Sequence, residues 1–143
     1  MTDYVKPAAA ALDGCPAEAR EFLLEHGLPR RVGTIFAAAT RSAKTSRYFG
    51  GREIDGIVLG FSAEHHELAL DYEQSKVWLL APWRPDAPIL VNSSVRTFAE
   101  CLALAADPDT GSDALRAALT TIDSATTEDP DSFWPAVLDS IEP

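Results

Sequence analysis

Between Thr34 and Val91 the apolar residues fall into short extended runs divided by turn signals, and on either side they recur at helical spacing. This change of period is the strongest constraint on the fold. It asks for a helix, then a group of strands, then further helices. That order belongs to an α+β chain rather than to alternating βαβ units.

On the N-terminal side, an Ala-rich stretch ends in a turn at Asp13-Gly14. Pro16 suits a first helical turn, where its missing N–H has no partner to lose. Glu18 and Glu21 complement the positive end of a helix dipole, and Ala19, Phe22, Leu23 and His26 share one face. Gly27 and Pro29 then stop the helix. The predicted helix is Pro16–His26.

In the centre, Thr34-Ile35-Phe36-Ala37 is short and extended, while Gly50-Gly51 and Asp55-Gly56 read as turns. Ile57-Val58-Leu59-Gly60-Phe61 reads as a buried strand. Leu68–Tyr72 and Lys76–Leu80 flank the polar break Glu73-Gln74-Ser75 as a hairpin. Ile89-Leu90-Val91 is one more strand, preceded by a Pro-punctuated loop from Pro82 to Pro88. Short consecutive strands with tight turns favour an antiparallel meander.

After Val91 the helical period returns. Asn92, Ser93 and Ser94 offer capping oxygens, and Val95, Phe98, Leu102 and Ala105 form an apolar stripe over 95–106. A helix over Asp113–Ile122 turns Leu115, Leu119 and Ile122 inward. Thr126 to Asp131 reads as loop, and Asp131 or Ser132 can cap a last helix carrying Phe133, Val137, Leu138 and Ile141. With 143 residues, residues 1–143 are expected to form a single domain. Its fold class is α+β: a central antiparallel or mixed sheet with an N-terminal helix and two to three C-terminal helices.

Lys and Arg total 12 against 22 Asp and Glu, a formal net charge of -10. A direct nucleic-acid binder needs the opposite surplus to neutralise phosphates. Residues 1–60 are nearly balanced, but from Asp107 onward nine acids (Asp107, Asp109, Asp113, Asp123, Glu128, Asp129, Asp131, Asp139 and Glu142) face Arg116 alone. This quarter reads as a solvated acidic field suited to a basic partner. Within it, Glu128, Asp129 and Asp131 before the last helix, with Asp107 and Asp109, are the candidate contacts. Trp83, beside Arg84 in an aperiodic loop, joins them because Trp and Arg are enriched at interface hot spots.

Catalytic constellations are not assembled by the pattern. Cys15 and Cys101 lack metal-ligand spacing and read as reduced, buried or half-buried thiols. His65 and His66 would point to opposite faces of a strand, so a solvated turn is the simpler reading. No catalytic, cofactor-binding or metal residues are assigned. No apolar run approaches the roughly 20 residues of a membrane span, and the N-terminus lacks a secretory pattern. The expected setting is cytoplasmic, without membrane contact, and with the oligomeric state open.

The order of features carries a resemblance. The first helix runs into Gly27-Leu28-Pro29, a strand-rich centre follows, and Val91-Asn92-Ser93-Ser94-Val95-x-x-Phe98 leads into a helix before a tryptophan-bearing final helix. This arrangement, over about residues 16–141, resembles the SUKH superfamily of bacterial immunity proteins, most closely its fourth, actinobacterial family. The resemblance implies a non-enzymatic antitoxin on an α+β scaffold that binds a cognate protein toxin, often a nuclease or nucleic-acid deaminase. Gly27, Leu28, Pro29, Asn92, Ser93, Ser94 and Phe98 then read as scaffold residues. A small-molecule-binding regulatory domain, using the sheet face as a pocket, is the alternative. On the first reading, replacing Cys15, Cys101, His65 and His66 together by Ala or Ser leaves protection against the toxin intact. Loss of protection in a variant that still folds would count against it.

Overall fold

The register of one long central hairpin decides which residues face the helices, because a one-residue slip would exchange the two faces of the sheet. The protein is described by a computed structural model covering residues 4–7, 12–33, 35–49, 52–63, 65–80, 89–107, 109–128 and 133–141. The chain runs through β1 (Tyr4–Val5), α1 (Ala17–Glu25), β2 (Leu28–Pro29), β3 (Arg31–Val32), β4 (Phe36–Phe49), β5 (Arg52–Ser62), β6 (Glu67–Asp71), β7 (Val77–Leu79) and β8 (Ile89–Asn92). The helices α2 (Val95–Ala106), α3 (Ser112–Ile122), α4 (Ala125–Glu128) and α5 (Phe133–Ile141) follow. β1 pairs with β2, and β3 to β8 form one sheet in sequence order. Every pairing is antiparallel. The α+β class and the meander are as the sequence indicates.

Period-two alternation divides the sheet. Ile57, Leu59, Leu68, Leu70, Val77, Leu79, Ile89 and Val91 are buried in the same core as Val95, Phe98, Leu102, Leu115, Leu119, Trp134 and Leu138 of the helices. Phe98 meets Phe36 edge-on, with centroids 5.5 Å apart. The intervening residues Ile54, Ala69, Trp78 and Leu80 form a second buried cluster. The central strands are therefore covered on both faces, which is why they read as continuous apolar runs.

Two local expectations need correction. Of the extended segment expected at 34–37, Phe36 and Ala37 begin a strand that reaches Phe49, Ile35 lies in the turn before it, and Thr34 is outside the described residues. Residues 37–47 contain no large apolar side chain, so their strand character comes from pairing with β5 and leaves no periodic trace. Asp55-Gly56 is not a turn but lies inside β5. At Gly56 a Cβ would collide with the Leu70 carbonyl oxygen of β6, so the glycine serves close backbone approach.

Helix ends follow local chemistry. Gly27, at φ 73°, closes α1 in the left-handed region and lies against the Val5 backbone, where a side chain has no room. Pro16 precedes α1 as its N-cap, one position earlier than expected. Among the described residues the expected helices after the sheet are joined by a fourth, α4, a helical turn where the sequence reads as loop. The Asp123 carbonyl accepts both the Thr126 N–H, at 3.0 Å, and the Thr126 hydroxyl, at 2.8 Å, which winds that turn. The expected caps Asp131 and Ser132 lie outside the described residues. Gly56→Ala is expected to destabilise the protein by about 1–3 kcal/mol through overpacking, read as a lowered thermal midpoint. An unshifted midpoint would contradict the close approach.

Candidate functional site

The step from β8 into α2 is made by Asn92, Ser93 and Ser94. Ser94 is the N-cap of α2: its Oγ accepts the Thr97 N–H at 3.2 Å, and Thr97 Oγ1 accepts the Ser94 N–H at 3.3 Å. This reciprocal pair satisfies two donors that a helix start leaves open. Asn92 and Ser93 do something the sequence does not announce. They bind the carboxylate of Asp123, just beyond α3.

Asp123 Oδ2 accepts the Ser93 N–H at 2.7 Å, Asn92 Nδ2 at 3.1 Å and the Thr97 hydroxyl at 3.1 Å. Its Oδ1 accepts the Ser93 hydroxyl at 2.8 Å. Asn92 Oδ1 in turn accepts the indole N–H of Trp134 at 2.9 Å. Burial pushes the Asp123 carboxyl up, but the donors from Ser93, Asn92 and Thr97 outweigh it and hold the group below its usual range. Asp123 is thus withdrawn from the acidic surface to which its neighbours belong. It is 8% exposed.

The described candidate acids flank α3, Asp107 and Asp109 before it and Glu128 after it. Asp107 and Asp109 are exposed at the end of α2, where the Asp107 carboxylate accepts the Asp109 N–H at 2.9 Å in a tight turn. Glu128 is exposed at the end of α4, which folds back on α3 through Thr120 and Thr127, their hydroxyls 3.0 Å apart. The length of α3, about 15 Å, separates the two groups. Asp129, Asp131 and Trp83 lie outside the described residues.

Burial governs the state of both thiols. Cys101 is buried on α2, accepts a long 3.5 Å contact from Asn92 Nδ2, and has its thiol pushed up to about 11, chiefly by burial. Cys15 is half-buried, and burial raises its thiol against the opposing pull of Arg20. Both therefore stay protonated near neutral pH and are poor nucleophiles. His65, at φ 67°, sits exposed in the β5–β6 turn, and His66 follows half-buried. Among the described residues no group of three His, Cys, Asp or Glu could hold a metal ion. None of the described helices is long and apolar enough to cross a membrane.

The model of the SUKH-4 immunity protein family matches residues 2–140. The chain belongs to that family. No curated protein and no solved structure gives a significant match. Membership gives this SUKH-4 protein an immunity role and implies a cognate toxin as its partner. Within it, Gly27 closes a helix, Ser94 caps one, and Phe98 fills the core at 0% exposure. Asn92 and Ser93 bind the buried carboxylate.

Asp123→Asn is expected to cost about 1–3 kcal/mol near neutral pH, since it replaces one acceptor oxygen with an amide donor facing groups that already donate. Folding lowers this carboxyl from its ordinary 3.8. Its contribution is therefore complete above that value and is lost as pH falls through the lowered folded one. The stability gap between wild type and Asp123→Asn should close below about pH 4, measured by denaturant titration with tryptophan fluorescence as the readout. A gap that persists undiminished in strong acid would contradict the assignment.

Proposed function

We propose that this SUKH-4 immunity protein neutralises a basic toxin domain, a nuclease or nucleic-acid deaminase, by placing carboxylates where that toxin binds phosphates. Residues 1–143 act as one binding domain and contribute no catalysis or cofactor. The observation that carries this reading is the outward acidic surplus of the C-terminal quarter. Asp107, Asp109, Asp113, Glu128 and Asp139 are exposed, and Arg116 is the only base after residue 107. Asp129 and Asp131 add to the same field in sequence, and Trp83 supplies an aromatic contact.

Charge of this kind acts mainly on encounter. A field spread over both ends of α3 steers a basic partner without requiring a single cleft. The test is co-expression and binding with the toxin domain encoded by the adjacent gene. The substitution set Asp107→Asn, Asp109→Asn, Glu128→Gln and Asp129→Asn keeps shape and the Asx-turn acceptor at 107. It should slow association about tenfold at low salt and flatten its salt dependence, while the thermal midpoint barely moves. Association indifferent to both the substitutions and salt would overturn the acidic-surface reading.

A further inference from the structure

Helix α1 has a face that the core does not use. Ala19 and Leu23 turn inward, whereas Glu18, Glu21 and Glu25 are exposed. Spaced i, i+3 and i+7, they form one row along the helix. Among the described residues none of the three is hydrogen-bonded or ion-paired. Beside this row, reaching to the first turn of α2, runs an open groove of about 470 Å³ lined also by Phe22, His26 and Arg96.

The groove already shows which chemistry it accepts. Phe22 is half-buried, with the His26 ring 5.0 Å from its own, and the Arg96 guanidinium lies over it at 5.2 Å from the centroid. An aromatic face beside carboxylates is the surround a guanidinium or ammonium favours. Arg96 is the second residue of α2, where the helix dipole disfavours a cation. Its place over Phe22 is therefore owed to the ring, not to its own helix.

We infer that the groove between α1 and the start of α2 grips a Lys- or Arg-bearing segment of the cognate toxin, with Arg96 as the intramolecular placeholder that this segment displaces. The inference rests on the toxin-binding reading above and adds a second surface to it. Asp107 lies at the opposite end of α2, about 18 Å away, so the two surfaces divide the work. The C-terminal acids bring the partner in. The groove, which encloses the incoming cation between ring and carboxylates, slows its departure.

Rates separate these roles. With the purified toxin domain from the adjacent gene as probe, surface plasmon resonance is run on Glu18→Gln/Glu21→Gln/Glu25→Gln, on Arg96→Gln and on the C-terminal substitution set. The glutamine triple should raise the dissociation rate at least tenfold, Arg96→Gln should lower it, and the C-terminal set should change association alone. The three glutamates are exposed and, among the described residues, their carboxylates are unbonded, so an unchanged melting curve certifies the fold. A dissociation rate within twofold of wild type in the triple variant overturns the groove while leaving the toxin-binding reading in place. A wild-type chain that does not bind the toxin overturns both.

Discussion

One carboxylate joins parts of the fold that are distant in sequence. Asp123 gathers donors from the end of β8 and the first turn of α2, and Asn92 passes the tie on to Trp134 of α5. Without it, the start of α2 would lose an anion at the end where the helix dipole favours one. The buried hydroxyls and amide around it would also lack their acceptor. Hydrophobic burial holds the helices against the sheet, but it has no direction. The Asp123 network supplies the direction, because its donors converge at one point only when β8, α2, α3 and α5 are in place. Such fully satisfied polar clusters specify an arrangement as much as they stabilise it.

Withdrawing Asp123 into the structure changes how the acidity of this immunity protein is understood. An excess of carboxylates over one quarter of the chain is not a uniform surface property. One member is structural, two close the α2–α3 turn, and others lie outward along α3, α4 and α5. A second acidic row, on α1, escapes notice in the composition because the first sixty residues balance in charge. Balance along the sequence does not mean balance on a face.

How much could be read in advance varied with the source of each element's stability. Helix α2 was legible to the residue, since its stripe, its cap and its end are all local. The β6–β7 hairpin was legible too, with its polar break between alternating runs. The distal part of β4 was not, because Thr40 to Arg47 carry no large apolar side chain and their strand character comes with a partner strand. Gly56 misled for a related reason: an Asp-Gly pair suits a turn, and only the neighbouring strand reveals that the missing side chain makes room for Leu70. Asp123 was counted with its acidic neighbours. The available clue was on the other side of the contact, where Asn92, Ser93 and Ser94 carry more donors than one helix cap can use.

The sheet's strand order has a kinetic consequence. Because β3 to β8 lie side by side in the order of synthesis, each pairing closes only a short loop, and the entropy lost at each step is small. Such hairpins can zip from any point. The Asn92–Trp134 contact, by contrast, spans 42 residues, and the network around Asp123 can form only after the helices have wound. Topologies rich in local pairings fold faster than those that depend on distant ones. For an inhibitor whose value lies in being ready when its toxin is, a sheet that assembles neighbour by neighbour and a single late clasp shorten the interval during which the cell is unprotected.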